Sequence, residues 1–166
     1  MADYDRDLFG QNGFDLDRNG CDTRNDILRR DLLDIVLKAD TNGCKVLRGT
    51  LIDPYSGQAI DFISGETTSF EVQIDHLVPL AWAWQNGASL WTIDRRTEFA
   101  NDPENLLAVE GGLNQEKSAS GPAEWLPPNR AFHCDYAAGF AAVLVEYGLA
   151  VPDDDRAVLI DILERC

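Results

Sequence analysis

The stretch TTSFEVQIDHLVP, residues 67–79, decides the fold. Its first eight residues are rich in β-branched and aromatic side chains and predict a strand over 67–74. Asp75 and His76 follow at the strand's end, and Leu77-Val78-Pro79 halts the backbone, because proline fixes its own φ and restricts the residue before it. Successive side chains on a strand point to opposite faces, so the carboxylate and the imidazole cannot share one direction. One can face a metal while the other faces a water. Downstream, NLLAV (105–109) predicts a short strand, and GGLNQEK (111–117) opens a helix with Asn114 and Lys117 three residues apart on one face. Two strands and a helix therefore carry Asp75, His76, Asn105, Asn114 and Lys117.

The flanks extend this to an α+β chain. Residues 22–38 predict a helix: Thr23 and Asp26 have capping-box spacing, and Leu28, Leu32, Ile35 and Val36 share one face. KVLRGTLID (45–53) predicts a strand, DPYSG (53–57) a turn and 58–63 the return strand, giving an N-terminal helix and β-hairpin. Short helices are expected over 79–84 and 94–100, and an irregular linker with Pro122, Pro127 and Pro128 over 121–129. Tyr136, Phe140, Val143, Leu144 and Tyr147 form an amphipathic face that stops at Gly148. After Pro152 the pattern repeats through Leu159, Ile162, Leu163 and Cys166, which predicts a C-terminal helix pair with Cys166 on its buried side. A length of 166 residues suits one domain over 1–166. With 45% hydrophobic and 26% charged residues, a disordered or collagenous chain is excluded. No run of about 18 apolar residues occurs, so no helical membrane span is expected.

Charge narrows the partners. The chain has 14 Lys and Arg against 29 Asp and Glu, a net of −15, which disfavours holding nucleic acid by phosphate neutralisation alone. Residues 24–48 are a local exception, with six basic side chains against four acidic. Cysteines stand at 21, 44, 134 and 166, with no CxxC pair to suggest structural zinc. Two disulfides with three pairings are open; the alternative is four buried thiols in a reducing compartment. Chain order favours Cys134–Cys166 across the helix pair and Cys21–Cys44 tying helix to strand. Disulfides imply an oxidising compartment, hence an exported protein, although MADYDRDLFG has neither the basic nor the apolar region of a signal peptide.

Taken together, DHLVP (75–79), NLL (105–107) and N-x-x-K (114–117) resemble the HNH endonuclease motif on a ββα-metal finger, in its H-N-N form. GCDTR (20–24), GCKV (43–46), DPY (53–55), DHLVPLAW (75–82) and PAEWLPPNR (122–130) extend the resemblance to actinobacterial HNH-family proteins, often exported, over nearly the whole chain. The resemblance implies a ββα-metal core over about 68–118. It also implies a metal held by Asp75 and by Asn114, which stands where other HNH proteins place a histidine. Two oxygen ligands and no thiolate favour Mg²⁺ or Mn²⁺ over Zn²⁺. His76 is then the general base, and Asn105 bonds to the histidine or its supporting backbone. Lys117 and Arg24 are expected phosphate contacts, with Arg29 and Arg30 beside Arg24; the alternative for these arginines is a solvated helix face. The implied activity is divalent-metal-dependent hydrolysis of DNA, with RNA not distinguished. No sequence-reading module is visible, so little sequence preference is expected, and the products carry 5′-phosphate ends. Nucleic acid is the expected partner, with no membrane and no obligate protein partner. Two alternatives are an inactive exported binding module and the nuclease component of a phage or restriction system. His133, beside Cys134, reads as a surface or packing residue.

One further motif stands apart. Asp15-x-Asp17-x-Asn19-Gly20, with Asp26 at the twelfth position, resembles an EF-hand loop and suits a structural Ca²⁺. Asp in place of Glu at that last position, and no helix before Asp15, favour an Asx-rich turn instead.

Overall fold

The computed structural model describes residues 4–10, 15, 17–65 and 70–166. Among these, six helices and two small antiparallel sheets form an α+β fold. In chain order the elements are α1 (Thr23–Asp31), β1 (Leu32–Leu37), β2 (Val46–Ile52), β3 (Ala59–Ile63), β4 (Val72–His76), α2 (Leu80–Gln85), α3 (Ile93–Asn101), β5 (Leu106–Glu110), α4 (Gly111–Lys117), α5 (His133–Tyr147) and α6 (Asp153–Leu163). The strand expected over 67–74 is observed from Val72 and runs on through His76, while residues 67–69 lie outside the described residues.

The first helix is shorter than its sequence period suggests. Asp22, not Thr23, is the N-cap, and its carboxylate accepts the Asn25 amide at 2.8 Å. The helix stops at Asp31, because Leu32 turns extended (φ −90°, ψ 144°) and β1 pairs antiparallel with β2. Ile35 and Val36, expected on a helix face, are β-branched residues of that strand. The expected hairpin is thus a three-stranded sheet in the order β1-β2-β3.

The second sheet, β4-β5, lies between two cores. Along β5, Leu106 and Ala108 enter a cluster with Ile27, Leu28, Val46, Leu51 and Phe62, whereas Leu107 and Val109 face a larger aromatic cluster built on α2, α3, α5 and α6. Its outer edges are closed by α1. Arg30 donates to the Pro103 and Leu106 carbonyls at 2.7 and 2.6 Å, Asp31 accepts the Ala108 amide at 2.8 Å, and Arg24 donates to the Val72 carbonyl at 3.1 Å. After β5, α4 starts at Gly111, where a Cβ would lie 2.1 Å from the Phe70 carbonyl oxygen; only glycine permits that approach.

Two disulfides, Cys21–Cys44 and Cys134–Cys166, have the pairing that chain order favours. Cys166 itself is exposed just beyond α6, so its expected place on the buried helix face is not observed: the α6 face buries Leu159 and Ile162 and ends at Leu163.

Candidate active site

The β4-β5-α4 unit assembles the site. Alternation along β4 sends Gln73 and Asp75 towards α4, and Val72, Ile74 and His76 towards the α1 side. On the α4 side, the Asp75 Oδ2 accepts two bonds, from the Tyr55 hydroxyl at 2.6 Å and the Lys117 ammonium at 2.8 Å. Lys117 also donates to the His76 carbonyl at 2.8 Å. All three side chains are buried, with Asp75 at 6% exposure and Lys117 at 0%. Burial pushes the Tyr55 hydroxyl well up, helped by the Asp75 charge, and pulls the Lys117 ammonium down against the opposing pull of Asp75. Asp75 Oδ1 has no partner among the described residues, and the cleft beside it is lined by Asp75, His76 and Asn114.

Asn114 lines the same cleft. Its Nδ2 donates to Gln73 Oε1 at 2.8 Å, an amide orientation assigned from that bond, which leaves its Oδ1 unpartnered among the described residues. Asp75 and Asn114 thus bring two hard oxygen donors to one cleft. Among the described residues no three His, Cys, Asp or Glu side chains converge into a cage. The donor set fits a Mg²⁺-like ion, which takes few protein ligands and keeps waters.

His76 faces the other way. Its Nε2 is 2.8 Å from the Ala100 carbonyl oxygen at the end of α3, an acceptor only, so Nε2 carries the proton and Nδ1 keeps its lone pair. Burial lowers the ring to about 4, opposed by the Ala100 bond and the Asp75 charge and aided by Arg6 and Lys117, so it is neutral at pH 7. Asn105 is fully buried and does not touch the ring. Its Oδ1 accepts the Val78 amide at 2.8 Å, its Nδ2 donates to the Val78 carbonyl at 3.3 Å, and its own carbonyl accepts the Leu77 amide at 2.8 Å. It fixes the chain that leaves His76.

The expected phosphate contacts separate. Lys117 is sealed in the interior on Asp75, so it has no surface from which to meet a phosphate. Arg30 is a strut to β5, and Arg29 lies 3.7 Å from Cys21 Sγ and 3.9 Å from Asp26. Arg24 stays at a second cavity, shared with His76 and Arg6. His133 accordingly packs, bonded to the Pro127 carbonyl at 2.8 Å. In the Asp15–Asp26 loop, among the described residues, Asp15, Asp17 and Asp26 all accept hydrogen bonds from Asn19, at 3.0, 3.1 and 3.1 Å.

Tyr55 and Arg6 were not found as site residues from the sequence. The DPY stretch was a signal for the first. Asp53 is buried, accepts the Ser56 and Glu110 amides at 2.7 and 2.9 Å, and so locks the turn that delivers Tyr55 to Asp75. Asn129 of PAEWLPPNR clasps the same turn through the Pro54 carbonyl at 3.0 Å. Nothing in the sequence near Arg6 marks it.

Comparison with protein families matches residues 22–162 to GmrSD restriction endonucleases, C-terminal domain. The chain belongs to that family. Membership places it among nuclease-related domains. A relative from Arthroderma benhamiae named "Uncharacterized secreted protein" is 35% identical over 148 residues, covering 88% of this chain and 68% of the relative. No solved structure matches. Every residue of the Asp75–His76–Asn105–Asn114 constellation lies inside the family-matched range, whereas Arg6 lies outside it.

Proposed function

We propose that the chain is an HNH-type, divalent-metal-dependent phosphodiester hydrolase acting on nucleic acid, DNA foremost. The observation that carries this is the neutral His76, proton fixed on Nε2 by Ala100, standing at a cleft that also receives the free oxygens of Asp75 and Asn114. Membership of a restriction endonuclease domain family supports the same reading.

Asp75 Oδ1 and Asn114 Oδ1 would hold the ion, Mg²⁺ or Mn²⁺ by their chemistry. When bound, it supplies positive charge against the negative charge that grows as the phosphorus becomes pentacovalent. His76 Nδ1 accepts the proton of the attacking water as the water oxygen bonds to phosphorus. The P–O3′ bond breaks, the 3′-oxygen takes a proton from solvent, and a 5′-phosphate and 3′-hydroxyl remain. Ala100 stabilises the imidazolium formed, and Lys117 with Tyr55 keeps Asp75 oriented. The relative's name and the two disulfides support action outside the reducing cytosol. The family's description supports a second setting, as the nuclease part of a restriction system.

Incubation with supercoiled plasmid in Mg²⁺ or EDTA tests the reading. Wild type is expected to nick and linearise in Mg²⁺ only, and His76→Ala to be slower by about 10²–10⁴-fold. Equal cutting by His76→Ala removes the base assignment, cutting in EDTA removes the metal, and no cutting by wild type leaves the binding-module alternative.

A further inference from the structure

We propose that the N-terminal turn Arg6–Phe9 completes a two-chambered groove for a nucleic-acid backbone, with Arg6 and Arg24 as a phosphate clamp beside His76. The inference rests on the hydrolase reading and says how its substrate is held.

Two cavities meet at His76. One contains Asp75 and Asn114, the other Arg24 and Asn101, and the wall between them is shared by Arg6, Ile74, His76 and Leu80. A phosphate reacting beside His76 in the first chamber continues, through its ester links, to a neighbouring phosphate in the second. Arg24 lines that second chamber, and Arg6 lines both. Neither is ion-paired with a carboxylate among the described residues, although Arg29, Arg30, Arg156 and Arg165 are. Asp22, the carboxylate whose charge reaches Arg24, is occupied capping α1. Arg24 is half-buried, with one guanidinium bond among the described residues, to the Val72 carbonyl, so its lost hydration is compensated when an anion arrives. Asp5 and Asp7, exposed on the same turn as Arg6, do not line either chamber; Asp5 accepts the Asp7 amide at 3.0 Å.

The turn is anchored firmly enough to place Arg6. Phe9 is 1% exposed, with its ring centroid 6.1 Å from Phe99 and 6.2 Å from Trp84, and Tyr4 packs edge-on to Trp84. Gly10 (φ +87°) follows, where a Cβ would fall 2.5 Å from Thr97 Oγ1. Arg6 lies before residue 22, where the family match begins, so a segment outside the family-matched residues supplies the second cation of the clamp.

The test is fluorescence anisotropy of a labelled DNA duplex and of its single strand in EDTA, over a series of salt concentrations, together with KM and kcat for plasmid in Mg²⁺. Arg6→Gln and Arg24→Gln are each expected to weaken binding about tenfold, reduce the slope of log K against log salt by about one, and raise KM more than they lower kcat. Arg6→Lys restores most of the slope. Arg48→Gln, an exposed charge on the three-stranded sheet, leaves binding and slope unchanged. Arg24 also ties α1 to β4, so Arg6, exposed and without a side-chain hydrogen bond among the described residues, is the deciding arm. Wild-type affinity, slope and KM in Arg6→Gln overturn the clamp while leaving the hydrolase intact. A wild type that neither binds nor cuts DNA overturns both.

Discussion

At the scale of single residues, Asp75 is the hinge of the site. It is buried beside an ammonium and a phenol, both on one oxygen, which leaves the other unpartnered among the described residues on a side chain that lines the cleft. Removing the phenol hydroxyl leaves a buried acceptor short of one bond. Tyr55→Phe is therefore expected to cost about 1–3 kcal/mol, read by urea denaturation. Lys117→Met strands the carboxylate without its cation and should cost about 3–5 kcal/mol, whereas adding Asp75→Asn to it recovers much of the loss. Additive losses in that double variant would contradict the pairing. His76 gives a pH prediction. The folded ring titrates near 4 against its ordinary 6.5, so the unfolded chain takes up the proton first. Stability from the neutral ring is complete above about pH 7, declines as pH falls from 6.5 to 4, and loses nothing more below. The window is worth up to about 3 kcal/mol and should vanish in His76→Gln melts compared at pH 7 and pH 4.5. The placement of Asp75, His76 and Asn114 was legible because strand alternation and helix spacing follow local rules, while their roles came from the resemblance to the HNH motif. Tyr55 and Arg6 were not, because each reaches the site from a distant turn, and no local period records a contact 20 residues away such as Tyr55–Asp75.

At the scale of elements, local signals served best where one periodicity had no rival. The strand leading into Asp75-His76, the helix 111–117 and the C-terminal pair were all legible, since each carries a clean pattern and a breaker. The first helix was overrun into β1, because Leu28, Leu32, Ile35 and Val36 satisfy a helical stripe while the sheet partner that claims the last three is β2, encoded elsewhere. The hinge of the ββα unit is Gly111. Gly111→Ala drives a methyl into the Phe70 carbonyl, so α4 must shift and take Asn114 and Lys117 with it. The expected cost is about 2 kcal/mol, roughly 4–8 °C in Tm for a chain of this size, accompanied by slower plasmid cutting. An unchanged Tm would show that α4 is not positioned by that approach.

At the scale of the whole molecule, the net charge of −15 makes the position of the few cations informative. Arg6 and Arg24 line the cavity at His76, and α6 begins with Asp153, Asp154 and Asp155, the last buried on the Trp82 indole at 3.0 Å. The disulfides tie the two ends of this arrangement, Cys21–Cys44 at the α1 side and Cys134–Cys166 across α5 and α6. They close loops of 23 and 32 residues, each worth about 3 kcal/mol on loop-entropy grounds, so unreduced denatured protein should show no free thiol and reduction should lower Tm markedly. Four reactive thiols would contradict both bridges. The position of a divalent ion relative to His76 decides between a metal-assisted hydrolase and the alternatives. Anomalous diffraction from a crystal soaked in Mn²⁺ measures this directly. One strong peak is expected, bonded to Asp75 Oδ1 and Asn114 Oδ1, with the His76 ring close by but beyond ligand distance. A peak ligated by the His76 ring itself, or found only in the Asp15–Asp26 loop, would contradict it.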